Sequence, residues 1–248
     1  MSTRYKIKVS YDGTNYSGWQ VQPHHRTVQG EIERLLRDMT CQKRVRVESS
    51  GRTDTGVHAR AQVAHFDLKE PIKDVKYFQR GLNAQIDRDI RIDTLENVSA
   101  DFHARFSAVA KEYRYFIYNG LIVPPTKRLY RLQEGRPLDI DQMRRAADYL
   151  VGEHDFAPFA ANRKVPIKDT VRPLHSFYVR KHGADITLEV QGNGFLYKMV
   201  RGLAGFLIHV GMGRLEPEAA LDILEHGKRT AKVQTAQPQG LFLWKVFY

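Results

Sequence analysis

The stretch Gly51–Ala59, GRTDTGVHA, sets one carboxylate, Asp54, two residues after Arg52 and four before His58, with glycine on either side. Glycines let a chain turn sharply and let other groups come close. Asp54 could therefore sit in a surface turn, in half of a two-carboxylate protease site, or alone as a catalytic acid. The Asp-Thr-Gly triplet of aspartic proteases needs a second carboxylate to share a proton, each held in an apolar strand. Here the triplet occurs once, and Ser50, Gly51, Arg52 and Thr53 precede it, none of them aliphatic. A guanidinium beside Asp54 favours the ionised form, the opposite of a proton-sharing pair. A lone carboxylate held anionic suits a nucleophile, or a base of depressed pKa.

Other chemistries find less support. His24, His25, His58, His65, His103 and His154 lack metal-ligand spacing. The Walker and dinucleotide glycine loops are absent, and so is a nucleophile elbow for Ser-His-Asp catalysis. Neither a metal nor a small-molecule cofactor is expected. Two further residues could join Asp54. In GFLYKMVRGLAGFLIHVG, at about 100° per residue, Phe195, Leu196, Met199, Val200, Leu203, Phe206, Leu207 and Val210 fill one apolar arc. Arg201 falls on the opposite arc beside Ala204 and Gly205, where another backbone could approach; a solvated arginine is the plain alternative. In EYRYFIY, Tyr113, Tyr115 and Ile117 share one strand face. Such tyrosines usually belong to a core or rim, but on a basic sheet one could stack on an extruded base.

The 248 residues carry 39 Lys and Arg against 28 Asp and Glu, a net charge of +11. A surplus of that size favours a polyanionic partner, nucleic acid before membrane, since neither a basic amphipathic helix nor a lipidation motif is present. Cys41 is the single cysteine, which excludes an intramolecular disulfide and a Cys-rich zinc site. The opening MSTRYKIKVS is read as neither signal nor transit peptide, and no apolar run is long enough to span a membrane, so a cytoplasmic protein is expected.

Two rounds of the same pattern have to position these residues. Arg4–Tyr11 alternates as a strand, TVQGEIERLLRDMT reads as a helix capped by Thr27, and Lys43–Ser49 and Gln62–Leu68 read as strands flanking the Asp54 loop. VKYFQRGLNAQI reads as a helix and DIRIDTLENV as a strand. The second round has a long strand Phe106–Tyr118 and a helix capped by Asp139 or Asp141. A hairpin turning at Gly183 and Ala184, the helix bearing Arg201 and a closing strand GLFLWKVFY follow. The expected class is α+β, two ferredoxin-like β-α-β-β-α-β halves over residues 1–105 and 106–248, their antiparallel sheets side by side around a basic cleft. The seam falls near Phe102–Ala110, and YNGLIVPPTKRLYRLQEGRP reads as an insertion. An open basic sheet is a natural groove for RNA. A non-catalytic module of two RRM-like halves would share these features, but neither half has a good RNP match and such a module does not need Asp54.

Several blocks resemble, in order along nearly the whole chain, the TruA-type tRNA pseudouridine synthases. They are YDGTNYSGWQVQ, GRTDTGVHARAQVAHF, FHARFSAVAKEYRYFIYN, DFAPF, GNGFLYKMVRGLAGFLIHVG and GLFLWKV. Thr55 departs from the alanine common in that family. The resemblance implies a pseudouridine synthase fold and an isomerase that turns uridine into pseudouridine at positions 38, 39 and 40 of the tRNA anticodon stem-loop, without a cofactor. It maps Asp54 onto the essential aspartate, whose first step is addition to uracil C6, attack at the sugar C1′, or removal of the C2′ proton. It maps Tyr113 onto a tyrosine that contacts the target base and Arg201 onto the arginine that pairs with the aspartate. Arg52 falls on the arginine that helps open the stack. It also implies tRNA as partner and a homodimer.

Overall fold

The computed structural model describes residues 2–161 and 169–248. Its elements are β1 (Thr3–Tyr11), α1 (Val28–Thr40), β2 (Glu48–Ser49), β3 (His58–Leu68), α2 (Val75–Gln85), β4 (Ile90–Val98), β5 (Ala110–Asn119) and β6 (Leu132–Glu134). They continue with α3 (Ile140–Asp148), β7 (Gly152–Asp155), β8 (Val171–His182), β9 (Asp185–Gly192), α4 (Met199–Gly211), α5 (Ala219–His226) and β10 (Leu241–Phe247). This is the α+β class that the periodicities predict. Two compact units result, Met1–Val109 with Phe242–Tyr248, and Ala110–Leu241. No helix among the described residues is long and apolar enough to cross a membrane.

In the first unit β1 lies between β3 and β4, antiparallel to both. Its alternation buries Tyr5, Ile7, Val9 and Tyr11, and leaves Arg4, Lys6 and Lys8 on the other face. Thr27 caps α1 as its hydroxyl accepts the Gly30 N–H, and Val28, Ile32, Leu35 and Leu36 turn inward. Asp74 caps α2 in the same way through the Tyr77 N–H. β2 pairs with β3 at Ser49↔Ala64, and β10 runs parallel to the start of β3 at Phe242↔His58 and Leu243↔Ala59.

The strand predicted over Lys43–Ser49 is confined to Glu48 and Ser49. Val45 and Val47 are buried, as the alternation requires. The backbone of Val47, however, bonds to helix side chains: its N–H donates to Glu33 Oε1 at 2.9 Å and its C=O accepts from Gln29 Nε2 at 3.0 Å. Residues of α1 thus satisfy groups that a neighbouring strand would otherwise take.

In the second unit β9 pairs antiparallel with β5 (Tyr113↔Val190) and with β8, the hairpin turning at Gly183 and Ala184 as predicted. β7 pairs with β8. The insertion segment contributes β6, which pairs parallel with β5. Asp139, rather than Asp141, caps α3, accepting the N–H groups of Asp141 and Gln142. α4 begins at Met199, later than the apolar pattern predicts, because Lys198 sits in the left-handed region (φ 57°) and breaks the helix there. The strand predicted from Phe106 likewise starts only at Ala110.

Candidate active site

Asp54 stands between β2 and β3 on a loop that is tied down from two directions. From below, Gln62 of β3 accepts the Ser50 hydroxyl at 2.7 Å and donates to the Gly51 C=O at 2.8 Å. Beside it the Tyr11 hydroxyl shares a buried 2.8 Å hydrogen bond with Thr53 Oγ1. Burial pushes the Tyr11 phenol well above its ordinary range, so it stays neutral. From the side, the loop after β1 packs against the same backbone. The Trp19 N–H donates to the Thr53 C=O at 3.2 Å, and the Gly56 N–H donates to the Tyr16 C=O at 3.3 Å.

Two glycines of YDGTNYSGWQ make this approach possible. A Cβ on Gly18, whose φ is +83°, would lie 2.4 Å from the Thr53 carbonyl oxygen and 3.0 Å from the Asp54 carbonyl carbon. A Cβ on Gly13 would lie 2.0 Å from the Val57 oxygen. Within the loop the Val57 N–H closes a turn on the Asp54 C=O at 3.1 Å, with Gly56 at φ 74°. Thr53 is buried, Asp54 partly exposed and Arg52 exposed. His58 is wholly buried, and its Nδ1 accepts the Gly13 N–H at 3.0 Å, which makes it an anchor of the loop. The result is a carboxylate on a rigid support with its head near solvent, and an arginine free to reach outward from the same loop.

Tyr113 and Arg201 belong to the second unit. Tyr113 is 8% exposed on β5, its ring edge-on to Phe195 with centroids 5.1 Å apart. Arg201 lies on the partly exposed face of α4. It is fixed at the Ala236 backbone: Nε donates to the Ala236 C=O at 2.7 Å, and the Ala236 N–H donates to the Arg201 C=O at 3.0 Å. Backbone does approach beside Gly205, as the small-residue pattern predicts, since a Cβ there would meet the Gln234 oxygen at 2.0 Å. Tyr115 braces the same segment by donating to the Gln237 C=O at 2.8 Å. Burial raises its pKa, and the Arg201 charge opposes that rise. The supporting residues Tyr11, Gln62, Gly13 and Gly18 escape a reading by residue type.

Glu48, His65 and His103 bring three ligand-type atoms within 4.8 Å of one another. The polarity of the histidines is wrong for a cation. His65 Nδ1 accepts the Ala104 N–H at 3.2 Å, and His103 Nδ1 accepts those of Arg105 and Phe106 at 3.1 and 3.3 Å. Each neutral ring then carries its proton on Nε2, the atom that would have to face the ion, whereas a metal-bound histidine donates through its other nitrogen. The His103 Nε2–H is instead satisfied by Glu48 Oε2 at 3.2 Å.

A family model described as tRNA pseudouridine synthase matches residues 7–107 and 146–248. The chain is 46% identical over 248 residues to tRNA pseudouridine synthase A of Listeria innocua, covering 99% of both. It is 42% identical over 245 residues to the protein of that name from Oceanobacillus iheyensis, covering 99% of this chain and 96% of that one. The protein of that name from Brevibacillus brevis is 44% identical over 245 residues, with 99% of each covered.

Proposed function

This chain belongs to the tRNA pseudouridine synthase family, and on that premise we propose that it isomerises uridine to pseudouridine at positions 38, 39 and 40 of the tRNA anticodon stem-loop. The observation that carries this reading is the full-length family match, combined with a single carboxylate presented on a doubly anchored loop. The C1′–N1 glycosidic bond breaks, the uracil reorients, and a bond forms from C1′ to C5. The hydrogen on C5 leaves and N1 gains a proton, so the product is an isomer and no oxidant or reductant is consumed.

Asp54 is the nucleophile or base of this sequence. Tyr113, held edge-on by Phe195, contacts the target base and assists loss of the C5 proton. Arg201 is the arginine that, by the family resemblance, pairs with the aspartate. Arg52, exposed beside Asp54, enters the stack as the uridine leaves it. Flipping a base out of a paired stem costs a few kcal/mol, which phosphate contacts made by the cationic surplus offset. The enzyme acts in the cytoplasm as a homodimer.

The reading is tested by release of tritium from C5-labelled uridine in anticodon stem-loop tRNA: the wild-type protein should release it, and no release would refute the activity. The electrostatic part has its own check. With six or more phosphates engaged, tRNA affinity is expected to fall by about a thousandfold between about 50 and 200 mM salt. A flat response would contradict phosphate-driven binding.

A further inference from the structure

The loop from Ser99 to Val109 has no regular structure, yet its backbone is closely specified. Arg4 donates to the carbonyls of Ala100 and Phe102, at 2.6 and 2.9 Å. The Ser107 N–H donates to the His103 C=O, the Ser107 hydroxyl accepts the His103 N–H, and the Tyr248 hydroxyl donates to the Ala104 C=O. On this fixed support Phe106 remains 77% exposed, against the usual burial of phenylalanine. The ring is not loose. It lies against the His103 imidazole with centroids 4.3 Å apart, and the Phe106 N–H is bound to that same imidazole. One cation lies by it: the Arg105 guanidinium is 5.7 Å from the ring centroid.

We infer that Phe106, backed by His103 and flanked by Arg105, is a stacking platform for an unpaired base of the RNA substrate, at a contact point separate from the reacting uridine. This rests on the tRNA reading above. A preordered flat ring beside a guanidinium, on a chain of net charge +11, fits a nucleobase with its attached phosphate. Separation from the chemistry follows from the strand. His65, which touches His103 in a ring contact, lies seven residues along β3 from His58. At about 3.3 Å per residue that is roughly 23 Å from the Asp54 end. The platform therefore contributes to docking and not to the chemical step.

The test compares Phe106→Ala, Phe106→Trp and Arg105→Ala with wild type. Affinity is measured by direct titration with unmodified tRNA, independent of turnover, and the chemical step by tritium release at saturating enzyme. Phe106→Ala is expected to weaken binding about 5- to 100-fold, to raise KM by a similar factor, and to leave kcat and the melting temperature unchanged. Phe106→Trp should restore affinity, and Arg105→Ala should reduce the salt slope by about one phosphate contact. Affinity of Phe106→Ala within twofold of wild type would overturn the platform, as would loss of the dimer in sedimentation with RNA affinity intact. Failure of the underlying reading shows elsewhere, as absence of tritium release from the wild-type protein.

Discussion

Asp54→Asn is expected to abolish isomerisation, lowering the single-turnover rate by at least about 10⁴-fold, while tRNA affinity stays within a few-fold of wild type. The amide keeps the size and shape of the side chain but can neither attack carbon nor accept a proton from it. Several ties of this loop do not pass through the Asp54 carboxylate and remain in the variant: the Thr53 hydroxyl on Tyr11, the Gly51 carbonyl on Gln62, and the Asp54 carbonyl on the Val57 N–H. Tritium release with enzyme in excess reads the chemistry, and a filter-binding titration reads the affinity. Wild-type-like release from the variant would remove Asp54 from the reaction. A parallel collapse of affinity would assign it to docking.

Among the substitutions at the site, Gly18→Ala is expected to follow Asp54→Asn in effect, acting on geometry alone. The added methyl would lie 2.4 Å from the Thr53 oxygen and 3.0 Å from the Asp54 carbonyl carbon, both backbone atoms, and the φ of +83° is strained for any side chain. Neither neighbour can swing aside without moving the loop. The expected cost is about 2–4 kcal/mol of stability, read from urea unfolding. Turnover should fall by about a hundredfold, the usual penalty for displacing a reacting group by an ångström. Gly183→Ala separates the causes: at φ +58° with nothing within 4 Å, it carries the backbone strain without the clash. It should cost about 1–2 kcal/mol and leave turnover intact. A Gly18→Ala enzyme of normal kcat would show that the β1 loop does not position Asp54.

Much of the fold is written in local periodicity. The alternation of Tyr5, Ile7, Val9 and Tyr11, the Thr27 cap and the Gly183 turn all appear where the sequence places them. What escapes is decided by tertiary partners. Val45 and Val47 alternate like a strand but bond to Gln29 and Glu33 of a helix. Phe195 and Leu196 continue the period of α4, yet Lys198 turns left-handed and frees Phe195 to pack on Tyr113. The closing strand is legible as a strand, but not that it groups with the first unit, because parallel pairing of Phe242 with His58 leaves no local signature. At the site, residue type and spacing drew attention to Asp54, but they left Tyr113 open as a core residue and Arg201 as a solvated one, and only the family resemblance gave those two and Arg52 a role. The scaffold under Asp54 was hidden, since a buried tyrosine or glutamine looks like any other until its partner is known.

The most direct measurement is a map of pseudouridine in tRNA from cells lacking this protein, complemented with either the wild-type chain or Asp54→Asn. Wild type should restore pseudouridine at some or all of positions 38, 39 and 40, and Asp54→Asn at none of them. Restoration by the asparagine variant, or a map unchanged by deletion of the protein, would contradict an isomerase that works through one carboxylate.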